Sequence, residues 1–111
     1  MNQTALIGRI VRELEPKQVG ENRMVLNNTL AVQRLYKTEN GPDADFIPFV
    51  AWGKTAELLN NYCKKGDLIG LTGRMQSRSY LKNEQDQVFV VELVVDEVQF
   101  LQNKREAEAV L

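Results

Sequence analysis

Side chains alternate in character along three separated stretches of this chain, and a period of two belongs to β-strands, whose successive residues point to opposite faces. From Leu30 to Tyr36 the alternation sends Arg34 and Tyr36 to one side, and from Phe46 to Trp52 it sends Phe46 and Trp52 together. From Arg74 to Tyr80 it groups Arg74, Gln76, Arg78 and Tyr80. A face of flat π-surfaces among guanidinium groups suits unpaired bases on a phosphate backbone, because each base can stack while each phosphate finds a cation. The pattern implies a surface for single-stranded nucleic acid.

The remaining stretches extend the β reading and add one helix. Asn2 to Leu14, with Leu6, Ile7, Ile10 and Val11 around Gly8, suits a first strand bent at the glycine. Pro16 to Arg23 reads as a loop, Met24 to Tyr36 as a second strand, and Lys37 to Asp43, with Asn40-Gly41-Pro42, as a turn. Asp45 to Trp52 is a third strand, with Ile47, Phe49 and Ala51 facing the core and Phe46, Pro48, Val50 and Trp52 facing out. Lys54 to Lys65 predicts a helix whose apolar stripe is Leu58, Leu59, Tyr62 and Cys63, with Lys64 and Lys65 in its last turn and Gly66 as its cap. Asp67 to Leu81, with Ile69, Leu71 and Met75 inward, is a fourth strand, Lys82 to Asp86 a hairpin tip, and Gln87 to Leu101 a β-branched fifth. This order predicts an all-β domain over 1–101: a five-stranded OB-fold Greek-key barrel with one short helix between strands 3 and 4. Residues 102–111 read as a short C-terminal tail, frayed or helical.

Composition narrows the function classes. A chain of 111 residues makes one domain, and 43% hydrophobic with 26% charged residues is ordinary for a soluble protein. No apolar run is long enough to span a bilayer and the amino terminus lacks a signal-peptide pattern, so a cytoplasmic protein is expected, with no membrane partner. A single cysteine, Cys63, cannot close an intramolecular disulfide and reads as a small buried hydrophobe. Histidine is absent, which removes the commonest metal ligand and catalytic base; no Gly-rich phosphate loop is present, and Ser77 and Ser79 merely alternate within a strand. No metal, no cofactor and no enzymatic activity are expected.

The net charge of −1 opposes a nucleic-acid role, but its distribution answers part of the objection. Met1 to Gly41 holds six basic and four acidic residues, Asp67 to Lys82 three basic and one acidic, and Asn83 to Leu101 five acidic and no basic ones. Positive charge is concentrated in the segments that carry the aromatics, and screening limits the reach of distant charges to about 8 Å at physiological salt.

Several short segments lie in one order and spacing: Leu6-Ile-Gly-Arg9, Thr29-Leu-Ala-Val32, Ala44-Asp-Phe46, Val50-Ala-Trp-Gly-Lys54 with Ala56-Glu57, Lys65-Gly66, Gly73-Arg74 and Arg78-x-Tyr80. In this the chain resembles the bacterial single-stranded DNA-binding proteins of replication and repair, from about Asn2 to Leu101. The resemblance implies a homotetramer of OB-folds on which single-stranded DNA wraps, with bases stacking at positions that fall here on Tyr36, Phe46, Trp52 and Tyr80. Family members often carry tryptophan at three of these positions, so the smaller rings of Tyr36, Phe46 and Tyr80 imply less overlap per base. Replicative members end in a flexible linker and an acidic tip that recruits partners, whereas this sequence ends Glu108-Ala-Val-Leu111. It therefore reads as a shortened sequence or a short paralogue, and recruitment through a tail is not expected.

Shared parity or adjacency with the aromatics assigns phosphate contact to Arg34, Arg74 and Arg78, and also to Lys54 and Lys82, against the ordinary fate of such residues as a solvated strand face. Aromatics on strands usually pack, and Phe49, Phe89 and Phe100 are assigned to the core or a subunit interface, Tyr62 to helix packing. An OB-fold protein-interaction subunit of a replication complex would share the fold without binding DNA strongly. An oligosaccharide-binding module would carry carboxylates and amides beside its rings in place of arginines.

Overall fold

The computed structural model describes residues 1–36 and 39–101. The alternating stretches form β1 (Thr4–Ile10), β2 (Lys17–Gln18), β3 (Met24–Gln33), β4 (Ala44–Trp52), β5 (Leu68–Asn83) and β6 (Asp86–Phe100), and the helix α1 (Gly53–Tyr62) lies between β4 and β5. Strand order is β1-β5-β6-β4-β3-β2, and β1 pairs a second time, with β3 through Arg9↔Ala31 and Ile10↔Leu30. Five long strands thus close on themselves, while β2 hangs on the free part of β3 through Lys17↔Val25 and Gln18↔Met24. Every pairing is antiparallel except β4 with β6, which run parallel at Phe49↔Leu93 and Val50↔Val94. This is the OB-fold that the element order predicts, with β2 as an addition inside the expected 16–23 loop. The expected tail, 102–111, lies outside the described residues.

The barrel is filled from the inward parity of each strand. Ile10, Leu26, Leu30, Phe49, Ile69 and Leu93 are all fully or almost fully buried in one cluster, which α1 closes at one end with Ala56 and Leu59. Burying side chains of this size stabilises the fold by about 1.5–3 kcal/mol each before ordering costs. Asn28, also buried, is satisfied by the backbone: its Nδ2 donates to the Arg12 carbonyl at 3.0 Å and its Oδ1 accepts from the amides of Arg12 and Thr29.

The helix departs from its expected register. It stops at Tyr62, where Cys63 turns extended (φ −123, ψ 157) and donates its amide to the Leu59 carbonyl. Lys64 and Lys65 therefore lie outside its last turn, and Gly66 belongs to the following turn, in which the Lys64 amide donates to Asp67 Oδ2 at 2.9 Å. The buried stripe is Ala56, Leu59 and Cys63, while Leu58 is exposed and Tyr62 lies outside against Phe100, ring centroids 5.8 Å apart. Phe49 is core as expected, but Phe89 and Phe100 are exposed on the protomer.

Two glycines shape the surface next to the core. Gly53 (φ 58) adopts a left-handed conformation that lets the chain pass from β4 into α1 with no intervening loop. At Gly73 a Cβ would overlap the Val94 carbonyl oxygen, and here the β5–β6 register slips: Thr72 pairs with Glu97 but Gly73 with Val95. Asp96 is the extra residue of this bulge, which re-aims its side chain.

Candidate nucleic-acid interface

Cross-strand partners share a face, so the register defines one continuous outer surface. On β4, Phe46, Pro48, Val50 and Trp52 stand opposite Ala31, Thr29, Asn27 and Val25 of β3. Val50 is beside Val94 of β6, and Val94 is opposite Arg74 of β5. Further along the same hairpin, Gln76 faces Glu92, Arg78 faces Val90 and Tyr80 faces Val88. Phe46 and Trp52 are thereby brought to one side of the sheet with Arg74, Gln76, Arg78 and Tyr80. Their rings remain open to solvent, Trp52 at 39%, Tyr80 at 46% and Phe46 at 61% exposure. Val50, expected on the exposed face, is instead buried with Val25 and Val94 in a small apolar patch on the outer side.

Arg34 and Tyr36 stand apart from this surface. β3 ends at Gln33, and the parity carried past that end belongs to Leu30, which is core. Both residues lie at the barrel rim: Tyr36 is exposed in the connection to β4, and Arg34 is tied to the start of β4 through its amide to the Asp43 carbonyl. Lys54, in the first turn of α1, and Lys82, near the hairpin tip, are exposed and make no ion pair among the described residues.

The arginines are not bare cations. Arg34 donates to Asp45 Oδ1 from Nε at 2.9 Å and from Nη2 at 2.7 Å. Arg74 Nη1 stands 3.7 Å from Asp96 Oδ1, and Arg78 Nε donates to Glu92 Oε1 at 2.7 Å, where Gln76 Nε2 also donates at 3.3 Å. Glu92 is buried beneath Arg78, whose guanidinium carbon in turn stands 5.9 Å from the Tyr80 ring centroid. Arg23, which the sequence did not single out, places its guanidinium 4.8 Å from the Trp52 ring centroid, a cation–π distance. Segregation of charge along the sequence thus does not persist in space, because acidic β6 lies directly against basic β5. The hairpin is the signal from which the contact between the two strands could have been inferred.

Among the described residues no group of three or more histidine, cysteine, aspartate or glutamate side chains could hold a metal ion, and no helix is long and apolar enough to cross a membrane. Cys63 is buried, and that burial, with the Asp67 carboxylate nearby, raises its thiol from 9.0 to about 11.

Comparison with known proteins agrees with this architecture. The model of the single-strand binding protein family matches residues 1–101. Single-stranded DNA-binding protein 3 of Clostridium acetobutylicum is 47% identical over 103 residues, covering 92% of this chain and 72% of that protein. Single-stranded DNA-binding protein 1 of the same organism is 45% identical over 111 residues, covering 96% and 99% respectively. The single-stranded DNA-binding protein of Streptococcus mutans is 41% identical over 109 residues, covering 97% and 66%. With the family model matched across the whole barrel and relatives at this identity over nearly its full length, the chain belongs to the single-strand binding protein family.

Proposed function

We propose that this protein binds single-stranded DNA with little sequence preference, through electrostatic capture followed by base stacking, and protects it during replication, recombination or repair. The observation that carries the proposal is the outer face of β4, β6 and β5. It holds Phe46, Trp52 and Tyr80 half-open to solvent beside arginines, while the same strands satisfy the core from their other face. Aromatic rings left exposed in this way are available as stacking platforms, and every base has a π-face to meet them. Tyr36 extends the set from the rim. Arg34, Arg74 and Arg78, with Lys54 and Lys82, supply the phosphate contacts. The named activity of the relatives supports the same reading. Binding requires no covalent chemistry and no cofactor.

The proposed assembly is a homotetramer in the cytoplasm. Ile7 on β1, Leu81 on β5, and Phe89 and Val91 on β6 are exposed on the protomer, and subunit contacts are the natural cover for apolar strand surface of this kind.

Trp52 is the chain's single tryptophan, so its fluorescence reports this surface directly. Single-stranded DNA is expected to quench it, duplex much less, and the affinity is expected to fall as salt rises. Equal quenching by duplex and single strand would overturn the proposal.

A further inference from the structure

A polyanion must reach arginines that each already face a carboxylate, Arg74 and Arg78 on the open face and Arg34 at the barrel rim. The three pairs differ in how readily that carboxylate can leave. Glu92 has 4% of its side chain exposed and receives hydrogen bonds from both Arg78 and Gln76, so it stays with the sheet. Asp45 and Asp96 are 49% and 60% exposed, so water can take over either one if its arginine turns elsewhere. Asp45 directly precedes Phe46, and Asp96 is the bulged residue that the slip at Gly73 sets beside Arg74.

We infer that Asp45 and Asp96 are built-in competitors of the DNA phosphates: in the free protein each occupies the guanidinium, of Arg34 and Arg74 respectively, that a phosphodiester takes on binding. The inference rests on the proposed binding of single-stranded DNA. Binding is then an exchange of one anion for another at each arginine. A released carboxylate returns to water and gathers cations, which offsets part of the counterion release that phosphate neutralisation brings. Affinity is thereby set below what the same arginines would give unopposed. The exchange also reconciles a near-neutral chain with a polyanionic ligand, because the carboxylates that balance the arginines are the ones that can step aside. Arg78 differs. Held through Nε by a carboxylate that does not leave, it keeps a fixed place beside Tyr80 and has only its terminal nitrogens to offer a phosphate.

The test is a double-mutant cycle on the full chain, with oligo(dT) as the probe and Trp52 quenching as the readout over a salt series. Asp45→Asn and Asp96→Asn are each expected to tighten binding about 2- to 5-fold at low salt, the range that exposed ion pairs span. Each is also expected to steepen the dependence of affinity on salt. In an Arg34→Gln background Asp45→Asn is expected to have no such effect, and likewise Asp96→Asn in Arg74→Gln. Glu57→Gln, the same charge change on the exposed side of α1, measures the contribution of net charge alone. Tightening by the aspartate variants no greater than by Glu57→Gln, or undiminished after loss of the partner arginine, would overturn the inference. Weaker binding by Asp45→Asn and Asp96→Asn would also overturn it, by making the carboxylates positioning groups for their arginines. A wild-type protein that fails to bind oligo(dT) would instead remove the proposed function on which the inference stands.

Discussion

Arg78 and Glu92 form one ion pair from unequal halves. The Glu92 carboxylate is buried, whereas half of the Arg78 side chain already faces water. Deleting Arg78 leaves a buried charge with only the 3.3 Å bond from Gln76, while neutralising Glu92 leaves a guanidinium free to swing outward. Arg78→Ala is therefore expected to lower stability by about 3 kcal/mol, and Glu92→Gln by about 1 kcal/mol. Urea midpoints would check this, and equal losses would contradict the asymmetry. The opposed parity of Trp52 and Phe49 gives a second contrast at this scale. Trp52→Ala is expected to weaken binding of single-stranded DNA by about 1–3 kcal/mol with little change in melting temperature. Phe49→Ala is expected to destabilise the fold by about 3–5 kcal/mol; titration and thermal melts on both variants would separate the roles. The faces of Phe46, Trp52 and Tyr80 were legible in the sequence because β4 and β5 run unbroken through them. Those of Arg34 and Tyr36 were not, since β3 ends at Gln33 and parity has no meaning beyond a strand's end. The acidic partners were hidden by register. An unbroken ladder counted back from Asn83↔Asp86 puts Arg78 opposite Val91, but the slip between Leu81 and Asn83 moves it to Val90 and brings Glu92 within its reach.

Among the elements, α1 shows how far an amphipathic pattern reaches. Its position after β4 was legible, but large side chains dominated the reading of its stripe, and the barrel accepts the small Ala56 where Leu58 had been expected. The Cys63 thiol that follows α1 gives a pH signature. Because its native value is raised from 9.0 to about 11, the native state favours the protonated thiol. The resulting stability is complete below about pH 9 and is lost as pH climbs to about 11. Urea midpoints across that window are expected to fall more for the wild type than for Cys63→Ala, and parallel declines would count against it. In the β5–β6 hairpin, Gly73→Ala is expected to cost more than about 2 kcal/mol, because the new methyl would meet the Val94 carbonyl at the bulge. The melting temperature reads that loss directly, and an unchanged value would mean that the bulge can move.

For the molecule as a whole, the all-β character, strand order and helix placement were legible because β-periodicity and turn chemistry are local properties. The register by which β1 pairs with both β5 and β3 was not, since it joins residues far apart in sequence. The exposed Ile7, Leu81, Phe89 and Val91 bear on assembly: sedimentation is expected to give about four times the 12.7 kDa chain mass with or without DNA. A monomer at micromolar concentration would contradict the tetramer. The double pairing of β1 also has a temporal side. A nascent polypeptide leaves the ribosome amino end first, so β1 emerges early and must wait for β5, and β4 must wait for β6, before either gains its second neighbour. Until the segment around Val94 has cleared the exit tunnel, the earlier strands form at most the β5–β1–β3–β4 portion, with an open seam where β6 belongs. Synthesis that halts before that point releases a chain whose unsatisfied edges invite pairing with other chains, a natural substrate for chaperones and proteases.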